Sequence, residues 1–275
     1  MSATLAAGIT TIDGVDIAWT RRGVGDPIVL VHGFTGSQLD WADVVDPLAD
    51  GGREVITIDH RGHGLSTNTG QRAGYRLSRL AADLGAVLDD LGLTGTDARG
   101  VDILGHSMGG MVVMRWALAN PNRFRSLVLM DTSPRPFAGA LEFLLRGADM
   151  VEAHGLAALA PFLGADLTDS SRHQVLRQRL QTKHEQLDAE AFIGLARDMG
   201  AMGDLVAALC AIHQPTTVIV GENDTPFIKP SHAMHDAIAG SELVVVPGCG
   251  HCPNEEDPQA WLRAMEAHLA RVVAG

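Results

Sequence analysis

The stretch VDILGHSMGG, Val101 to Gly110, passes from a short apolar run into a tight turn and then into an apolar segment ending at Asn120 that reads as a helix. Gly105-His106-Ser107-Met108-Gly109 is a G-x-S-x-G pattern in a strand-turn-helix setting. A turn this sharp forces the central residue into a strained backbone, tolerable when the residues two before and two after it lack a Cβ. The hydroxyl of Ser107 is thereby lifted off the strand at a helix N-terminus, the position of a nucleophile. The alternative for a serine there is an ordinary helix N-cap.

Outward from this turn, the apolar pattern alternates between short strands and helices. Ile9–Ile12 and Val15–Arg22, joined at Asp13-Gly14, read as an antiparallel hairpin. The runs at Pro27–His32, Glu54–Asp59, Val101–Gly105, Ser126–Asp131, Pro215–Gly221 and Glu242–Pro247 are apolar throughout. Such runs suit strands covered on both faces by helices. Helical periodicity occupies Gln38–Asp50, Leu77–Leu91, Met108–Asn120, Pro230–Ala239 and Pro258–Val273. Strand, helix and strand in succession imply right-handed crossovers and a parallel sheet. From Phe137 to His213 only helical periodicity remains, so the chain divides into a core of residues 1–136 and 214–275 and a helical insertion of residues 137–213, placed to act as a cap.

Composition restricts the function. With 46% hydrophobic and 20% charged residues among 275, the chain has enough apolar side chain for a large core. A net charge of -12 without a basic cluster repels polyanions, which disfavours nucleic acid and anionic membranes as partners. No stretch approaches the roughly 20 apolar residues of a spanning helix. The three cysteines make no disulfide framework and fit a reducing compartment, so a cytoplasmic monomer or homodimer is expected, with Cys210 an ordinary core residue.

With the elbow, other motifs accumulate: His32-Gly33-Phe34 after an early strand, Asp59-His60-Arg61-Gly62-His63-Gly64-Leu65-Ser66 after the next, Gly221-Glu222-Asn223-Asp224, and Gly250-His251. In these motifs the sequence resembles the α/β-hydrolase family over nearly its whole length, in the serine hydrolase branch with a helical cap. The resemblance implies a mostly parallel eight-stranded sheet with helices on both faces, and the family's order of serine, acid and histidine. A serine hydroxyl needs a general base of suitable pKa, and His251 on its glycine-containing loop supplies one. Asp224, just after the preceding strand, is the chosen carboxylate to orient the imidazole. Asp131 competes with it, because some family members place the acid after the sixth strand. The family's oxyanion hole implies the backbone N–H groups of Phe34 and Met108.

The insertion and its surroundings carry Phe137, Phe143, Leu144, Phe162, Phe192 and Phe227. Most such residues pack a cap onto itself, and with Phe34 they are the candidates for lining an apolar pocket above Ser107. His32, His60, His63 and His106 sit in or beside matched motifs, but the spacing of Asp59, His60 and His63 fits no common metal site, and neither metal nor cofactor is expected. His106 is expected to support the elbow. Cys249-Gly250-His251-Cys252 has the spacing of a redox dithiol. Only Pro253–Gly275 follows it, read as one terminal helix, which leaves no room for a thioredoxin-type domain.

These features point to a serine hydrolase that cleaves an ester of a small, mainly apolar acyl substrate, carboxylesterase-like, through an acyl-enzyme. Enol-lactone hydrolysis and C–C bond hydrolysis use the same site architecture. The segment His32–Ser37 with Trp41 is also similar to the menaquinone-pathway lyases, although Met111 stands where their substrate-binding arginine is expected. A ligand-sensing protein on a hydrolase scaffold is the alternative from another class.

Overall fold

The structure is a computed structural model that describes residues 5–93, 100–136, 138–162 and 171–274. Its elements in chain order are β1 (Leu5–Ile12), β2 (Val15–Arg22), β3 (Asp26–Val31), α1 (Val45–Asp50), β4 (Arg53–Ile58), α2 (Leu77–Asp90), β5 (Val101–His106), α3 (Met108–Ala119) and β6 (Phe124–Met130). There follow α4 (Ala138–His154), α5 (Ser171–Glu185), α6 (Ala189–Ala201), β7 (Thr216–Gly221), α7 (Thr225–Ala237), β8 (Glu242–Val246), α8 (Pro253–Glu256) and α9 (Pro258–Ala274).

Successive residues of β3 explain the layering. Ile28 and Leu30 pack with Trp41, Leu48 and Trp261, whereas Val29 and Val31 pack with Leu80, Leu84 and Val112. Alternate side chains of a strand point to opposite faces, so an unbroken apolar run needs a helical layer on each side. The eight strands lie in the order β1-β2-β4-β3-β5-β6-β7-β8. The pairs from β4 to β8 are parallel, and β1-β2 and β2-β4 are antiparallel. From β3 the chain adds β4 on one side and then β5 on the other. Loops leaving neighbouring strands at such a switch point diverge and open a crevice at the strands' carboxyl ends.

Between β6 and β7 the regular structure is helical. Helices α4 and α6 share a small apolar cluster of Ala148, Val151, Leu187, Phe192, Ile193 and Ala196. Helix α5 is tied to the turn after β3 by ion pairs from Lys183 to Asp40 at 2.5 Å and from Arg179 to Asp43 at 2.8 Å.

Several boundaries differ from the sequence expectation. The segment Gln38–Asp50 is a 3-10 turn at Gln38–Trp41 followed by α1. Pro47 fits only the first turn of a helix, so the helix containing it cannot reach back to Gln38. Helix α7 begins at Thr225, with Pro226 in its first turn, and Pro230 lies inside it. The terminal segment is two helices, because Pro258 holds Asp257 out of the helical region, at φ -136°. Cys210 is exposed on a 3-10 turn whose buried residue is Leu209.

Candidate functional site

Four strand ends of the parallel sheet deliver polar residues to one crevice, Ser107 after β5, Asp131 after β6, Asp224 after β7 and His251 after β8. The backbone of Ser107, between β5 and α3, has φ 52° and ψ -120°. Its flanking glycines allow that turn for separate reasons. A Cβ on Gly105 would lie 2.6 Å from the Cα of Gly110, and one on Gly109 would lie 2.3 Å from the carbonyl oxygen of Val31. Gly33 lets the loop after β3 press against the elbow, since its Cβ would meet that of Ser107 at 3.0 Å.

The imidazole of His251 connects two partners. Nε2 lies 3.0 Å from Ser107 Oγ, and Nδ1 lies 2.7 Å from Asp224 Oδ2. Asp224 occupies the position before α7, yet its side chain makes no capping bond and turns to the imidazole instead. The side chain of His251 is 38% exposed and that of Asp224 is 8% exposed. One end of the relay therefore opens to the crevice and the other is closed off.

The loop carrying His251 is held at several points. His106 Nε2 donates to the carbonyl of His251 at 2.8 Å. Burial pushes the His106 imidazole down to about 3, so it is the neutral form that donates. Glu256 accepts from Gly250 N at 2.6 Å and Cys252 N at 2.9 Å, one carboxylate gripping both sides of the histidine. The Phe227 ring packs 4.7 Å from the imidazole. The sequence placed acidic residues at the start of the next helix but carried no signal that one reached back to this loop.

Residues 28–264 match the profile of the Alpha/beta hydrolase family. The chain belongs to the α/β hydrolase family. It is 28% identical over 284 residues to a putative 2-succinyl-6-hydroxy-2,4-cyclohexadiene-1-carboxylate synthase of Bacillus subtilis, covering 96% of this chain and 98% of that one. It is 28% identical over 258 residues to a putative carbamate hydrolase of Variovorax paradoxus, covering 91% and 94%. A thermophilic esterase from Thermogutta terrifontis superposes with a TM-score of 0.80 at 29% identity, over 99% of each chain.

In this α/β hydrolase, Asp131 lies at the end of β6, fully buried and at φ 44°. Its Oδ1 accepts from Gly221 N at 2.9 Å. Polar atoms of Asp131, Asp224 and His251 all lie within 4.8 Å of one another. The 2.7 Å contact between His251 Nδ1 and Asp224 Oδ2 leaves no space for an ion between those two atoms.

An apolar cavity of 340 Å³ adjoins the loop after β3, with Phe34, Phe143, Leu144, Met150, Leu159 and Phe192 in its wall. The Phe34 and Phe192 rings are 4.7 Å apart. Phe143 is exposed at the rim. Of the other expected pocket residues, Phe227 is placed against His251 instead, while Phe137 and the side chain of Phe162 lie outside the described residues. A larger groove of 530 Å³ opens elsewhere, among Leu5, Thr20, Gln38 and Gln186. Of its hydroxyls, Thr20 and Thr57 bond each other at 2.7 Å, Ser37 Oγ accepts from Leu39 N and Thr182 Oγ1 donates to the Gln178 carbonyl.

The motif histidines are buried. His32 donates from Nδ1 to the Gly33 carbonyl and accepts at Nε2 from His60 N, an arrangement that requires the neutral ring. Asp59 accepts from Gln38 N and Leu65 N, binding together the loops after β3 and β4. The thiols of Cys249 and Cys252 are both pushed up by burial, Cys249 to about 11. This is the opposite of the lowered pKa of a reactive dithiol.

Proposed function

We propose that the protein is a serine hydrolase that cleaves esters of small, mainly apolar acyl groups through an acyl-enzyme, in the manner of a carboxylesterase. The observation that carries this reading is the unbroken relay from Ser107 Oγ to His251 Nε2 and from His251 Nδ1 to Asp224 Oδ2. Ser107 attacks the carbonyl carbon as His251 takes its proton at Nε2. Asp224 keeps the imidazole in the tautomer that accepts there and stabilises the imidazolium that forms. His251 then returns the proton to the leaving alcohol, and a water molecule repeats the sequence on the acyl-enzyme.

The developing oxyanion is held by the N–H of Met108 and that of Phe34. Met108 is the first residue of α3, whose opening donors have no acceptor within the helix. Gly33 brings the Phe34 loop against Ser107, and without its close approach the second donor would be out of reach. The helices between β6 and β7 act as the cap, and the cavity under them takes the apolar part of the substrate. Its lining of aromatic and aliphatic side chains discriminates by shape and area buried. The similarity to a solved esterase at 29% identity supports the ester reading.

The test is a panel of aryl esters of increasing acyl length, run with a lactone and a vinylogous diketone. Ester turnover should be lost by about 10⁴-fold or more in Ser107→Ala. It should persist in a Cys249→Ser/Cys252→Ser double variant. Turnover of the diketone alone would replace ester cleavage with C–C bond hydrolysis.

A further inference from the structure

Asp131 is the side chain of the crevice that this mechanism leaves unused, and its surroundings are unusual for a carboxylate. It is fully buried, and only Oδ1 receives a hydrogen bond from the backbone, that of Gly221 N. Oδ2 is buried without any donor. An ionised carboxylate left in that state would bear the full cost of an unpaired buried charge. Two of the groups facing it are themselves carboxyls. The groups are Asp224 and His251, with Glu256 and the Cys249 thiol beyond them. Asp224 lies within hydrogen-bonding reach of Asp131.

A single proton resolves this arrangement. Placed on Asp131, it turns an orphaned acceptor into a donor, with the Asp224 carboxyl as an acceptor beside it. Asp224 then receives two hydrogen bonds, one from Asp131 O–H and one from His251 Nδ1–H, and the two acids carry one negative charge between them. Adjacent carboxyls in a low-dielectric site hold one proton for this reason. Burial pushes the Asp131 carboxyl up to about 10, in the same direction. The φ of 44° at Asp131 is a conformation that aspartate and asparagine adopt more readily than most other residues.

We propose that Asp131 is a positioning residue: a neutral carboxylic acid that donates a hydrogen bond to Asp224, fixing that carboxylate against His251 and drawing off part of its charge. The proposal rests on the assignment of Asp224 as the acid of the relay. Asparagine reproduces the neutral acid, with an N–H₂ donor and a carbonyl acceptor on the same skeleton. Glycine removes the donor while tolerating the positive φ.

The experiment measures the rate at which a fluorophosphonate labels Ser107 as a function of pH, which requires no natural substrate. Asp131→Asn should leave the acid limb of that profile where the wild type has it, within about 0.2 pH unit, because no charge is removed. Asp131→Gly should concentrate charge on Asp224, move the acid limb up by about 0.5 pH unit or more and slow the plateau by about tenfold. A downward shift of the limb in Asp131→Asn would show that Asp131 is ionised, and an unmoved limb in Asp131→Gly that it does not act on the relay. Either result overturns the proposal.

Infrared spectroscopy provides a second readout. A protonated carboxyl band should be present at neutral pH, shift in D₂O and vanish in Asp131→Asn. Absence of that band in the wild type also overturns the proposal. Because this measurement involves no turnover, it stands even if Ser107 proves unreactive, which separates failure of this inference from failure of the hydrolase reading.

Discussion

His106, the residue immediately before Ser107, donates from Nε2 to the backbone carbonyl of His251 at 2.8 Å. The elbow and the histidine loop, 144 residues apart in sequence, are thus joined by a hydrogen bond that does not involve the serine hydroxyl. Replacing His106 with Leu leaves the carbonyl of His251 without its donor, a loss of about 1–3 kcal/mol. Ester turnover should fall by about tenfold in kcat with little change in KM, and Gln at the same position should retain more activity than Leu. Steady-state kinetics and urea unfolding of the two variants check both effects.

Lys183 of α5 and Asp40 form an ion pair whose side chains are 8% and 9% exposed. Lys183→Met would strand a buried carboxylate and should destabilise the protein by about 3–5 kcal/mol. The Lys183→Met/Asp40→Leu double variant should recover much of that loss, since it removes both charges of the pair. Denaturant unfolding of the single and double variants reads the difference.

His268 is buried against Thr217 Oγ1 at 2.8 Å and Ser126 Oγ at 2.9 Å, and burial pushes its imidazole down to about 4. The unfolded chain binds this proton below about 6.5 and the folded chain only below about 4, so stability falls as pH falls through that interval. At pH 5 the cost is on the order of 2 kcal/mol. Asp59, Asp131 and Glu255 are shifted upward and act in the opposite direction, so the effect is best read as a difference. His268→Gln should show a flatter decline of unfolding free energy between pH 6.5 and 4.5 than the wild type, by about one proton. Equal slopes would place the acid sensitivity elsewhere.

Gly109→Ala introduces a Cβ 2.3 Å from the Val31 carbonyl oxygen and 2.5 Å from that of His32. These contacts are with backbone, so α3 must move away from β3, at a cost of about 1–3 kcal/mol. Thermal unfolding should report the loss, and ester turnover should fall with it because Ser107 and Met108 move with the helix. Gly203→Ala, with nothing within 4 Å of the new Cβ, should stay within about 0.5 kcal/mol of the wild type.

How much was legible in the sequence differs between elements. Six of the eight strands followed from apolar runs, because a strand covered on both faces has no polar position to interrupt it, and β1 and β2 followed from the Asp13-Gly14 turn. Helix ends were less legible where proline was the marker. Pro230 resembles a helix start, but the first-turn proline of α7 is Pro226, and a proline pattern alone does not distinguish the two. Cys210 looked like a core residue by type, yet it is exposed, because a 3-10 turn buries one side and Leu209 occupies it.

By itself the sequence determined which residue types stand at the carboxyl ends of the strands, because glycine spacing and apolar runs are local properties with local physical causes. Ser107 was named on that basis, while Asp224 and His251 were chosen with the family's order of serine, acid and histidine, and Asp131 stayed a competitor. Only the tertiary structure decided which distant groups meet. It put the Asp131 carboxyl beside Asp224, the Glu256 carboxylate around the His251 loop, and Phe34 against Phe192 in one cavity wall. Those contacts depend on the twist and order of the sheet and on where each helix comes to rest, and no single stretch of sequence encodes them.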